Sequence, residues 1–190
     1  HPNGQLKQRT NFVNGKMDGE SISYYSTGEL KGIAKYNDGE YQNDKKTDKI
    51  YKYYNQGQEY LKQGNFKSAI KKYSKCIDIR DNWADGYFAR ATAKLNNLEF
   101  DDAIKDFNKV LEIEPYYTYA YSNRAFAIIR KYELGNGRTL SNSNGVQIIA
   151  SKETDIPESD LTKICSDLKK AISLGDDNRM VLNAFEKHCE

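Results

Sequence analysis

The sequence predicts an α+β chain in two parts: an N-terminal antiparallel β-hairpin meander, then an all-α array of helical hairpins closed by a capping helix. Three observations carry this. Residues 1 to 41 alternate apolar and polar side chains between Asn-Gly, Asp-Gly and Thr-Gly, the dipeptides of tight hairpin turns. From Tyr53 to Arg130 the chain repeats itself every 34 residues, so that Phe66, Ala69, Ile70, Tyr73 and Ile77 return as Phe100, Ala103, Ile104, Phe107 and Leu111. Within each repeat the apolar residues recur at three- and four-residue steps, the period of amphipathic helices.

In chain order, strands are expected at about Gln5 to Phe12, Glu20 to Tyr25 and Glu29 to Tyr36, with turns at Asn14-Gly15, Thr27-Gly28 and Asp38-Gly39. The hairpin itself recurs: Asn3-Gly4-Gln5-Leu6-Lys7 returns 24 positions later as Thr27-Gly28-Glu29-Leu30-Lys31, and Phe12-Val13-Asn14-Gly15 as Tyr36-Asn37-Asp38-Gly39. The run from Asn14 to Glu20, followed by Tyr24-Tyr25-Ser26-Thr27-Gly28, resembles MORN-type repeats, particularly the bacterial variant of antitoxin-like proteins. The first copy is cut at His1, so further copies are expected ahead of it. This resemblance implies membrane-lipid contact or protein assembly without attaching either to a residue, and a purely sheet-building role for the Gly and Tyr residues is the plainer reading.

Residues 42 to 49 contain no apolar side chain and read as the joint between a domain at 1–41 and a helical domain at 50–190. Helices are expected at about Tyr51 to Gly64, Phe66 to Ile79, Ala84 to Leu98 and Phe100 to Glu114, with Gly64 and Leu98 at equivalent turns. The first helix of a third repeat runs from about Thr118 to Leu134. Tyr53, Tyr87 and Tyr121 share one position, and the small residues Gly57, Ala91 and Ala125 share another. With Ala69, Ala103 and the closing Pro115, this pattern resembles the tetratricopeptide repeat, which implies helix-turn-helix units stacked into a right-handed superhelix.

After Leu134 the array is interrupted at about 135–158 by a polar segment rich in Ser and Asn, and register resumes where Asp167-Leu168-Lys169-Lys170-Ala171-Ile172 matches Asp106 to Leu111. The insertion is expected to be mobile or a lid, with Val146 to Ala150 its one run able to pack or pair. Gly175 suits a helix stop, and a last helix from about Asn178 to His188 would cover the exposed face of the third repeat with Val181, Leu182 and Phe185.

Composition excludes several functions. A net charge of +2 gives no bulk attraction to nucleic acid, and no apolar run approaches the roughly 18 residues of a membrane helix. Three cysteines make no even disulfide framework: Cys76 and Cys165 read as core thiols, and Cys189 as an unpaired terminal thiol, with pairing between chains the alternative. The two histidines, His1 and His188, both lie near termini and form no catalytic pair. No phosphate-binding glycine loop or metal cluster is present in the sequence, so no enzyme activity, cofactor or metal is expected. Location stays open between the cytoplasm, slightly favoured, and export; so does oligomeric state.

The tetratricopeptide resemblance implies a concave groove lined by the first helix of each repeat. Its register assigns to a protein or peptide partner Tyr51, Tyr54, Asn55 and Gln58 from the first repeat, Asp85, Phe88 and Thr92 from the second, and Tyr119, Asn123, Phe126 and Arg130 from the third, with Ala89 and Ser122 among them. Aromatic and amide side chains offer contact area and adaptable hydrogen bonds at low rotamer cost. The family's carboxylate clamp for chaperone tails is missing, because its positions hold Tyr54, Gln58, Ala89, Tyr119 and Asn123 and supply no cationic pair. The expected function is a non-catalytic interaction scaffold. The alternatives are a regulatory or antitoxin-like part of a larger protein, and a self-assembly module; membrane contact through the hairpins has no support from any residue.

Overall fold

The computed structural model describes residues 1–42, 44–135, 139–142, 145–148 and 156–190. A four-stranded antiparallel sheet, in the order β1 (Gln8–Val13), β2 (Lys16–Tyr24), β3 (Leu30–Asn37) and β4 (Glu40–Gln42), precedes the helices. Three strands are expected from the sequence; β4 is added because Asp38-Gly39 closes a second two-residue hairpin. Asn14 and Asp38 adopt φ of 49° and 48° and are followed by Gly15 and Gly39 at 77° and 87°, so both turns twist the way a right-handed β-hairpin requires. The flanking pairs are Val13 with Lys16 and Asn37 with Glu40.

The helices are α1 (Lys45–Lys62), α2 (Phe66–Ile79), α3 (Ala84–Asn96), α4 (Phe100–Ile113) and α5 (Thr118–Gly135), then α6 (Glu158–Ser173) and α7 (Arg179–Cys189). α1 starts about six residues before the expected Tyr51, within the polar joint, because Asp44 caps it by accepting the Lys46 and Thr47 amides. Short strands β5 (Thr139–Asn142) and β6 (Gly145–Ile148) pair antiparallel between α5 and α6, placing Val146 to Ile148 in a strand. The expectation of a mobile segment or lid falls largely on residues outside those described.

The turn chemistry follows the repeat. Gly64 and Leu98, 34 residues apart, have φ of 71° and 64°, and each is followed by an amide bonding back across the helix end, Asn65 to the Tyr60 carbonyl and Glu99 to that of Lys94. Gly175, φ 94°, ends α6 likewise through Asp176 and Ala171. This left-handed cap satisfies carbonyls that the helix ends would otherwise leave open. Leu98 holds the position with a side chain that glycine avoids.

The chain divides into two compact units, residues 1–90 with 109–116 and residues 91–108 with 117–190. In the first, the sheet is fixed to the first repeat. The fully buried Tyr25 donates from its hydroxyl to the Asn82 carbonyl (2.8 Å) and accepts from the Ala84 amide (3.0 Å). One residue on, the Ser26 amide donates to Glu114 Oε2 at 2.9 Å and its hydroxyl to Glu114 Oε1. Gly57 lies where an added Cβ would stand 2.5 Å from Tyr73 Cε1, so glycine is the residue that fits at this position.

In the second unit, Ala125, Ile128, Ile129, Ile164, Leu168, Ala171 and Val181 form the core, with Phe185 packed against it. The expected cap is therefore in place through Val181 and Phe185, while Leu182 is exposed. Cys165 and Cys189 are joined by a disulfide, against the expectation of two free thiols. The α6–α7 turn at Gly175 brings the last residues of α7 back beside the middle of α6, and no sequence spacing announces that return. Cys76 is the buried free thiol expected of it, and burial pushes its pKa up to about 11.

Candidate functional site

Each unit carries a cleft. In the first unit a cleft of about 620 Å³ lies between one face of the sheet and the first repeat. Its sheet side is built from alternate residues of β2 and β3, Ser21, Ser23, Gly32 and Ala34, whose small side chains leave the space open. Its helix side carries Tyr51, Tyr54 and Trp83. The Trp83 ring meets Tyr54 at 5.3 Å and Tyr51 at 6.5 Å, and Tyr54 also meets Tyr73 at 5.6 Å. Tyr36 and Tyr41, paired across β3 and β4 with ring centroids 5.7 Å apart, stand on the sheet side. The charged lining groups are Lys31, Asp85 and Arg80; Lys31 and Asp85 face each other at 4.0 Å.

In the second unit a cleft of about 270 Å³ is bounded by α3, α5 and the start of α7. Thr92, Tyr119, Asn123, Phe126 and Arg130 all line it, opposite Asn178 and Met180. Asn123 is held by donating to the Tyr119 carbonyl at 2.8 Å, one helical turn back. Asn178 accepts the Met180 amide and so caps α7 at the cleft margin.

The eleven expected partner-binding residues thus fall into groups. Tyr51, Tyr54 and Asp85 line the first cleft, and Thr92, Tyr119, Asn123, Phe126 and Arg130 the second. Asn55 is exposed and Gln58 half-buried on α1; Phe88 is half-buried on α3. The rings differ in availability: Tyr51 and Tyr119 are 55% and 60% exposed, whereas Tyr54, Phe88 and Phe126 are half-buried. Phe126 packs against the second core and Tyr54 between two other rings, so both also hold the fold together. Ala89 and Ser122, expected to face a partner, are buried. Sequence reasoning missed Trp83, Arg80 and the sheet's contribution to the first cleft; the serines alternating in β2 were the one available signal.

Residues 50–83, which span α1, α2 and the aromatic wall of the first cleft, match the sequence pattern of the tetratricopeptide repeat family. The chain carries a tetratricopeptide repeat. Solved structures extend the likeness to the helical region at the level of fold. The TPR2B domain of yeast Sti1, solved as a pHsp70 complex, superposes with a TM-score of 0.57 at 22% identity over 74% of this chain and 96% of that one. The second TPR domain of human RPAP3, in complex with an HSP70 peptide, gives 0.57 at 19% identity over 76% and 98%. The Arabidopsis OM64 TPR domain gives 0.58 at 19% identity over 76% and 97%. A comparison with curated proteins finds no match. The helices, alike in fold to these domains, therefore follow an N-terminal sheet in an α+β fold. Among the described residues no group of His, Cys, Asp or Glu is arranged to hold a metal, and no helix is long and apolar enough to cross a membrane.

Proposed function

We propose that the chain is a non-catalytic scaffold or adaptor that holds a protein or peptide partner through the first helices of its tetratricopeptide repeats. The observation that carries this reading is the second cleft, where five residues assigned from register alone, Thr92, Tyr119, Asn123, Phe126 and Arg130, line one space. Solved domains of the same fold hold chaperone-tail peptides, which supports a peptide as ligand class. The clamp positions Tyr54, Gln58, Ala89, Tyr119 and Asn123 lack the cations such tails require, so a different peptide chemistry is proposed here.

The test is affinity capture with the intact chain, read by mass spectrometry, followed by titration of the recovered partner against Tyr119→Ala. Tyr119 is largely exposed, so its loss should weaken binding by about 2 kcal/mol, the scale of an interface hot spot, with an unchanged melting temperature. Equal binding by wild type and Tyr119→Ala, and likewise by Phe88→Ala, would remove the first helices as the docking surface. One observation favours the self-assembly alternative: β1 is an edge strand on which Phe12 and Val13 are 62% and 54% exposed. A concentration-independent monomer mass in light scattering would dismiss it.

A further inference from the structure

We infer that the cleft between the sheet and the first repeat binds an extended peptide carrying an aromatic or aliphatic side chain next to a carboxylate, with the carboxylate on Arg80; this rests on the peptide-binding function proposed above. Three features point there. Arg80, half-buried at the end of α2, donates from Nη2 to Thr47 Oγ1 at a long 3.4 Å, and among the described residues no carboxylate lies within ion-pair distance of it. Lys31 and Asp85 offset each other, which leaves the cleft lining with one net positive charge. A planar guanidinium in that state is matched by one carboxylate, whose two oxygens it can take together.

Next to Arg80 the sheet offers a backbone edge. Among the described residues β4 pairs with Lys35 to Asn37 of β3, and the stretch Leu30 to Ala34 has a strand beside it on the β2 side alone. Gly32 sits in that stretch, with Arg80 Nη1 3.8 Å from where its Cβ would be, and both residues line this cleft and the adjoining one of about 310 Å³. An extended chain can use such an edge, with its alternate side chains turned to the cleft. The rings of Tyr51, Tyr54 and Trp83 on one side and Tyr36 and Tyr41 on the other supply apolar contact for one of those side chains. A phosphate-bearing ligand fits less well, because the one net positive charge of this cleft's described lining leaves most of a dianion uncompensated.

Trp83 is the chain's one tryptophan and lines the cleft, so its emission reports occupancy. The probe is an array of acetylated, amidated, Trp-free hexapeptides of Gly and Ser bearing one Phe or Leu and one Glu at every spacing, each with a Gln counterpart. Some Glu peptides should shift Trp83 emission, and their Gln counterparts should bind at least tenfold more weakly. Arg80→Gln should lose the same factor toward Glu peptides and nothing further toward Gln peptides, at unchanged melting temperature. Should Arg80→Gln unfold, Tyr41→Ser on the exposed short strand replaces it and should weaken Phe peptides more than Leu peptides. Equal binding of Glu and Gln peptides, a silent Trp83 across the array, or a response to adenosine monophosphate in place of peptides would each overturn the inference. Peptides that leave Trp83 silent but bind in a polarisation assay sensitive to Tyr119→Ala would overturn it while leaving the proposed function standing.

Discussion

Arg124 of α5 and Asp167 of α6 form a two-pronged ion pair inside the second unit, with Nε 2.7 Å from Oδ2 and Nη2 2.6 Å from Oδ1. Nη1 donates to Asn108 Oδ1 at 2.6 Å, and the two charged side chains are 12% and 4% exposed. Arg90, 34 residues earlier, makes the corresponding reach to Ser74 in the first unit. Charges this buried are costly to strand, so removing one partner should cost about 3–5 kcal/mol, far more than an exposed pair is worth. Arg124→Met and Asp167→Ala should each lower stability by that amount in urea denaturation. Losses under 1 kcal/mol would show the pair to be solvated.

Gly57 and Tyr73 make an opposed pair of predictions. Alanine is a better helix former than glycine by about 1 kcal/mol, yet its Cβ would meet the Tyr73 ring well inside contact distance, and overpacking at about 1–3 kcal/mol should win. Gly57→Ala should therefore lower the melting temperature. Tyr73 is fully buried and its hydroxyl has no hydrogen-bond partner among the described residues, so Tyr73→Phe should raise stability by about 1 kcal/mol. A Tyr73→Phe variant less stable than wild type would show that the hydroxyl is satisfied.

Alkaline pH should unfasten the sheet from the repeat. Burial pushes the Tyr25 hydroxyl from its ordinary 10.0 up to about 12. Between those values the unfolded chain gives up this proton and the folded chain keeps it. Stability is thus fully present below pH 10 and falls as pH rises toward 12, by about 2–3 kcal/mol from this residue. Tyr73 is shifted in the same direction and adds to the slope. Melting temperatures across this range should fall less steeply for Tyr25→Phe than for wild type, and parallel curves would refute the assignment.

The Cys165–Cys189 bridge closes a separation of 24 residues around the α6–α7 turn. Restricting the unfolded chain over that length is worth about 2–4 kcal/mol. Cys189→Ser should cost that much, and dithiothreitol should lower the wild-type melting temperature while leaving Cys189→Ser unchanged. Thiol counting on the unfolded, unreduced chain should find Cys76 alone; three reactive thiols would contradict the bridge.

The helical part was legible in the sequence because its signals are local or strictly periodic. A 34-residue repeat of small and apolar positions defines a helix pair, and the left-handed caps at Gly64 and Leu98 stand at the positions that the period gives them. Asn14-Gly15 and Asp38-Gly39 fixed two hairpins for the same reason, since a two-residue turn is decided by its own backbone preferences. The candidate site was legible by halves. Register named Tyr119, Asn123, Phe126 and Arg130, which the geometry of α5 carries to one side, and Thr92, which reaches the same cleft from α3 only through packing; it could not say that Tyr54 and Phe126 would also be half-buried.

The sequence by itself determined the α+β class, the order of hairpins and helices and the capping helix. Only the tertiary structure decided that Tyr25 plugs into Asn82 and Ala84, that Ser26 meets Glu114, that Arg80 lies against Gly32 and that Cys165 finds Cys189. Each of these joins residues far apart in the chain and unrelated by the repeat. Periodicity states which face of an element is buried; it does not state what comes from elsewhere to cover that face, because that depends on how whole elements pack once the chain has closed on itself.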